Sequence, residues 1–293
     1  GVNWTLVRTL ASANGRVRLV ASQQTNGRMI ALCENFANGL PVIRRSTDNF
    51  ATIDTNMPLP TSVGNQPPAA SDFCRGQAFF DLMIGMNPEN DSQVFVGGIE
   101  IFRNDDAFKA SPVTGDWIQY TDWTVNPTAS GSTSTLRDGV HSDQHCMAFA
   151  PGLPSRVVFG NDGGVYYSNN SGNSIGIRVN NYNVTQVYKA DINTASTATN
   201  RFIAGLQDNG SQYVTGAAAG INSYSRINGG DGAWEFIEDN DEYLITSYVY
   251  NVYTRHAING ASSYSIANNQ NDGDFINQCG LDSTNDRLYA NGT

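Results

Sequence analysis

Ser168-Asn169-Asn170-Ser171-Gly172-Asn173-Ser174-Ile175 is the stretch on which the fold turns. It follows the pattern Ser-x-Asp-x-Gly-x-x-Trp, with Asn in place of Asp and Ile in place of Trp. Those residue types make a tight turn. The Asn and Ser side chains bond nearby backbone amides, Gly accepts a positive φ, and the large apolar residue covers the layer beneath. Ser46-Thr47-Asp48-Asn49-Phe50-Ala51-Thr52-Ile53 keeps the Ser and the Asp and loses the Gly; Arg103-Asn104-Asp105-Asp106-Ala107-Phe108 retains chiefly Asp105. Gly1-Val2-Asn3-Trp4-Thr5 matches the second half of the pattern, so the sequence is expected to begin inside a hairpin, with the native N-terminus elsewhere.

Outward from each turn lies the same unit: an apolar strand, a turn, a second strand, a third ending in the polar turn, and a short fourth. Four such strands make a propeller blade. The first unit reads Arg16–Gln23, Arg28–Glu34, Pro41–Asp48 and Ala51–Thr55, the second Phe79–Pro88, Gln93–Gly98, Ile99–Asp105 and Trp117–Thr121. The third reads Gln144–Gly152, Arg156–Asp162, Gly164–Asn170 and Gly176–Asn180. Looser units follow at Val187–Ala195, Arg201–Asp208, Ser211–Gly216 and Ile221–Asn228, then Trp234–Asn240, Tyr243–Tyr250, Val252–Ala257 and Ser262–Ala267. These place blades at about 6–66, 67–125, 126–183, 184–230 and 231–268, with a further one starting at 269–293. The expectation is all-β: part of a seven- or eight-bladed ring of four-stranded antiparallel blades. Leu19, Leu82 and Met147 recur 63 and 65 residues apart, longer than the roughly 40–50 of compact propeller repeats, so loops are inserted. Pro58–Asp72 and Asn126–Val140, rich in Pro, Gly, Ser and Thr, are those loops.

Composition agrees with many short strands. Charged residues are 15%, Tyr and Phe number 13 each, and 40% of the chain is hydrophobic, enough for a large core. A net charge of −10 repels phosphate backbones and anionic lipid, which excludes nucleic acid as an expected partner. No apolar run reaches the roughly 20 residues of a membrane-spanning helix. Cys33, Cys74, Cys146 and Cys279 have no metal or redox spacing; they could form two disulfides in any of three connectivities, or Cys33 and Cys146 could be buried thiols.

The chain resembles the Asp-box propeller superfamily, which includes sortilin-like ectodomains, sialidase-like repeat proteins and xyloglucan-cleaving glycoside hydrolases. Within it, the likeness is to secreted bacterial sortilin-like proteins exported through the type IX system. Besides Ser46, Asp48, Asp105, Ser168, Asn170 and Gly172 of the turns, the matching segments include the runs GQAFFDL from Gly76, VFVGGIEIFRNDD from Val94, VHSDQHCMAF from Val140, VVFGNDGGVYYSNNSG from Val157, FIAGLQDNGS from Phe202 and NGGDGAWEF from Asn228. The resemblance implies the fold and an extracellular or cell-surface location, and it implies no reaction.

Three constellations carry chemistry. His141-x-Asp143-x-His145 would share one face if all three lay on a strand, as ligands or as structural hydrogen-bonding groups. Asp162, Asp208 and Asp231, in NDGG, QDNG and GGDG, are candidate acids for glycoside hydrolysis; equally they are everyday turn formers. Trp117, Trp123, Trp234, Tyr166 and Tyr167 offer rings for stacking a sugar, or for packing between blades. Gln207 and Trp234 join the histidine cluster as binding candidates. No metal or other cofactor is assigned. Calcium is the alternative, with Asp272 and Asp274 in NNQNDGD as carboxylate donors unless that run is a solvated loop. GxSxG, HExxH, P-loop and dinucleotide motifs are absent from the sequence. The expected function is a secreted binding or scaffold module for glycans or other surface proteins, with enzymatic activity left open and, if present, that of a glycoside hydrolase. Alternatives are a glycoside hydrolase using channel-facing carboxylates and a subunit of an extracellular filament or surface complex.

Overall fold

Period-two alternation lets a strand bury both faces when sheets stack on either side of it. Strand β5 (Asn90–Gly97) does this: Val94 and Val96 enter one core cluster with Leu82 and Phe102, while Phe95 enters another with Phe159 and Ile101. The computed structural model describes residues 6–7, 14–61, 72–125, 138–179, 185–193 and 200–292. They contain six antiparallel sheets and no α-helix, and the sheets are β-propeller blades.

The chain divides into two compact units, residues 1–182 and 183–293. In the first unit, β1 (Asn14–Ala21), β2 (Met29–Asn35) and β3 (Leu40–Ser46) form one blade. The next adds β4 (Met83–Asn87), β6 (Ile101–Asn104) and β7 (Trp117–Gln119) to β5. The third comprises β8 (Gln144–Ala150), β9 (Leu153–Asn161), β10 (Gly164–Ser168) and β11 (Gly176–Ile177). Strands pair in chain order within each blade, and the first strands β1, β4 and β8 pack beside one another, which makes them the inner strands. The cores lie between the sheets, and each fully buried Phe or Leu stabilises them by about 1.5–3 kcal/mol.

The second unit has β12 (Val187–Ile192), β13 (Phe202–Leu206), β14 (Gly210–Val214) and β15 (Ser225–Asn228), then β16 (Phe236–Ile237), β17 (Tyr243–Ser247), β18 (Asn251–Ala257) and β19 (Ser263–Asn269), and a hairpin of β20 (Cys279–Asp282) and β21 (Arg287–Ala290). Inner strands β12 and β16 again lie side by side.

Two expected strands differ. Ala51–Thr55 contributes a single bridge, Asp54 to Arg45, because Asn49 and Phe50 take left-handed φ values of 59° and 65° and turn the chain out of the ladder. Phe79–Leu82 is turn and irregular chain before β4, held by the Phe80 amide on the Gln77 carbonyl, 2.7 Å. Cys33 and Cys74 are buried free thiols, and Cys279 is half-buried and free. Cys146 is also free but exposed, so the reading of it as a buried thiol is corrected: β8 turns alternate residues outward. Gly1–Thr5 and most of the Pro58–Asp72 and Asn126–Val140 insertions lie outside the described residues.

Candidate functional site

The Ser168 turn is a closed set of hydrogen bonds. Ser168 Oγ accepts from the amides of Asn170 (3.3 Å) and Gly172 (2.8 Å) and donates to Asn170 Oδ1 (2.9 Å), which accepts from the Ser174 amide (2.9 Å). At Ser46 the same set recurs with Asp48, Phe50 and Thr52. Gly172 has φ +82°, and a Cβ there would lie 2.8 Å from Phe95 Cε1, so only glycine fits. Arg103 bonds the Ser171 carbonyl and Asn173 Oδ1, tying the turn to the neighbouring blade. Asp105 does not build a turn of this kind. Its carboxylate pairs with Arg103 at 2.8 Å and accepts from Gln93, while Asn104 caps the turn amide of Asp106.

Beside the Ser168 turn is a hollow of about 210 Å³ lined by Asp138, Tyr167, Asn169, Ser174, Ile175, Gly176 and Arg178. The Arg178 guanidinium stands 5.4 Å from the Tyr167 ring centroid, which orients both side chains. Asp138 is buried and accepts from the Ile175 amide at 2.5 Å; burial raises its carboxyl above the usual range. Composition did not single out Asp138 or Arg178.

Buried acids stand immediately before inner strands. Asp81 precedes β4, Asp143 precedes β8 and Glu235 precedes β16, each buried. The His141–Asp143–His145 alternation does not form, because β8 starts only at Gln144 and Asp143 has φ 66°. His145 Nε2 instead meets Asp162 Oδ1 at 2.5 Å, and the carboxylates of Asp143 and Asp162 bring oxygens within 4.8 Å of each other. His141 has its amide on the Tyr166 hydroxyl at 3.3 Å and its Cβ over Gly163, a place that only glycine leaves open. Asp81 is sealed completely, and neither carboxylate oxygen has a hydrogen bond. Burial, then the nearby Asp143 charge, pushes it up to about 9.

In the second unit Asp231 Oδ1 accepts from the Asp208 amide at 3.0 Å, and Asp208 has φ 55°. Both therefore belong to a turn. Gln207 sits between the Gln186 carbonyl, 3.0 Å from its amide, and Asn209, whose side chain bonds its carbonyl. Trp234 is half-buried against Phe236, Tyr243 and Ile245, with its amide on Ser247 Oγ. Glu235 takes the Ser211 hydroxyl on Oε1 at 2.9 Å, and burial pushes it up to about 8. Asp272 binds Asn251, amide on carbonyl at 3.1 Å and Nδ2 on Oδ2 at 3.0 Å, closing the loop that Asp274 continues. Trp117 is a core residue, its Nε1 on the Pro58 carbonyl, and Tyr166 is buried; Trp123 and Tyr167 keep exposed surface.

No protein-family profile matches the chain, and no curated protein matches it. Similar solved structures include a GH74 enzyme of Niastella koreensis, 11% identical with a TM-score of 0.33, covering 85% of this chain and 38% of that one. YCF48 of Cyanidioschyzon merolae is 10% identical with a TM-score of 0.33, covering 97% and 95%. A chain of the COPII outer coat vertex on membranes is 13% identical with a TM-score of 0.30, covering 81% and 57%. This chain spans well under half the length of the GH74 enzyme.

Proposed function

We propose that the protein is a secreted or cell-surface propeller of the Asp-box kind that binds glycans, with the hollow beside the Ser168 turn as a saccharide subsite. The observation that carries this reading is the lining itself: one aromatic ring, a carboxylate, an amide, a hydroxyl and a guanidinium around about 210 Å³. A sugar ring presents an apolar face and a rim of hydroxyls that both donate and accept. Tyr167 suits the face, while Asp138 and Asn169 accept from the rim and Arg178 donates to it. Because the Ser168 turn and the Arg178–Tyr167 contact hold these groups, little ordering is required on binding.

A glycan array followed by calorimetric titration of the strongest oligosaccharide tests the reading. Tyr167→Ala and Arg178→Ala each weaken binding at least tenfold, at unchanged melting temperature. Equal affinity in both variants moves the site elsewhere, and no binding by the folded wild type ends the glycan reading in favour of a protein partner.

Glycoside hydrolysis is the other reading, with Asp162, Asp208 and Asp231 as acids. It needs two carboxyl groups across one sugar. Asp162 is bonded to His145, and Asp231 to the Asp208 amide, and both arrangements suit turn-holding better. Release of reducing sugar by the wild type, lost in Asp162→Asn, would reinstate it.

A further inference from the structure

We propose that the hollow between the sheet β16–β19 and the hairpin β20–β21 is a binding site for a free α-amino acid with an aliphatic side chain. It lies wholly in the second compact unit and is independent of the saccharide reading. Strand pairing builds it. Ile245, Arg255 and Tyr264 stand in register across β17, β18 and β19, and period-two alternation sets Tyr243 and Ile266 on the same face. Leu281 and Leu288, directly paired across the hairpin, pack against that face and help to line a space of about 330 Å³.

The charges on this lining are unspent. The Arg255 guanidinium stands 4.0 Å from the Tyr243 ring centroid and 5.8 Å from that of Tyr264, and among the described residues it makes no hydrogen bond or ion pair. The rings hold the group, and its N–H donors are left to clasp a carboxylate. Asp286 accepts from the Tyr243 hydroxyl on Oδ1 at 2.8 Å, and its Oδ2 accepts no bond among the described residues. Burial raises the pKa of that hydroxyl most; Asp286 adds to the rise and Arg255 opposes it, so both charges flank one tyrosine. Ile245, Ile266, Leu281 and Leu288 supply the apolar part of the lining. A cation and an anion over an aliphatic floor match a zwitterion, with its carboxylate on Arg255, its ammonium on Asp286 Oδ2 and its side chain among the four aliphatic residues. A neutral saccharide would leave both charges unmet. At about 330 Å³ the hollow is near the lower end of ligand pockets, the size for one small molecule.

The test is calorimetric titration of the full chain with leucine, beside glycine, which lacks the side chain, N-acetylleucine, which lacks the ammonium, and leucinamide, which lacks the carboxylate. Leucine binds with one equivalent, and each of the other three binds at least tenfold more weakly. Arg255→Gln abolishes the preference for leucine over leucinamide, and Asp286→Asn abolishes the preference over N-acetylleucine. Tyr167→Ala, in the saccharide hollow, binds leucine as the wild type does. Asn tolerates the left-handed φ of 52° that Asp286 holds and keeps an acceptor for Tyr243, so that variant folds. If Arg255→Gln does not fold, Asp286→Asn decides by its own preference. No binding of leucine up to on the order of 10 mM overturns the proposal. Equal affinity of the wild type for leucine and N-acetylleucine, preferences unchanged in the variants, or loss of leucine binding in Tyr167→Ala overturns it as well.

Discussion

Asp81 and Glu235 occupy matching places, one in each compact unit, each fully buried just before an inner strand. Their surroundings differ. Glu235 has the Ser211 hydroxyl on one oxygen and the Lys189 ammonium close by, bonded to the Glu235 carbonyl. Asp81 has no donor and faces another carboxylate. The same blade position can therefore hold a buried acid with a hydroxyl donor on one oxygen, as at Glu235, or a buried acid with no hydrogen bond on either oxygen, as at Asp81.

The largest effect expected from breaking this contrast is in the pH dependence of Glu235. Its native value is raised to about 8 from the usual 4.5, so the native state keeps a proton that the unfolded chain gives up. Stability from this group is full below 4.5, falls as pH rises toward 8, and is gone above it. Glu235→Gln removes the decline, and chemical denaturation should show the variant gaining on the wild type between pH 5 and pH 8 by up to roughly 4 kcal/mol. A parallel pair of stability curves would mean that Glu235 is charged in the fold.

Next in size is Ser211→Ala, which strips the donor from Glu235 Oε1 and should cost about 1–3 kcal/mol at pH 7. Its mirror is smaller. Arg16→Met removes the cation nearest Asp81 and should cost about 1 kcal/mol or less, because its hydrogen bonds go to carbonyls at a partly exposed edge. A cost equal to that of Ser211→Ala would show Asp81 leaning on Arg16 and erase the distinction between the two acids.

The turns offer the finest comparison. Ser46 and Ser168 organise the same amides, yet Phe50 stands at φ 65° where Gly172 stands at φ 82°. Gly172→Ala should destabilise by about 1–3 kcal/mol, through left-handed strain and the contact with Phe95. Phe50→Gly should change stability by no more than about 1 kcal/mol, since relief of the same strain offsets the lost side chain.

The blades were legible because their signals are local: alternating apolar residues in VFVGG and VVFG, and turn residues at fixed offsets. Where the reading of residues departed from the structure, distant packing intervened. His141 and Asp143 look like strand alternation, but the left-handed φ at Asp143 ends it, and no residue type nearby demands that conformation. Asp81 sits in FFDLM, where an acid among apolar residues reads as a face turned to solvent, yet it is completely buried just before β4, a strand that packs beside β8. Asp138 and Arg178 line one hollow because Asp138 accepts from the Ile175 amide, next to the fourth strand β11, a contact between residues far apart in sequence.

Hydrogen exchange with and without the strongest-binding oligosaccharide tests the central claim, glycan binding at the third blade, most directly. Amides that open locally exchange more slowly when a ligand holds them closed. Protection confined to residues 167–178 is the predicted result. Protection confined to residues 200–292, with none at the Ser168 turn, would contradict the account.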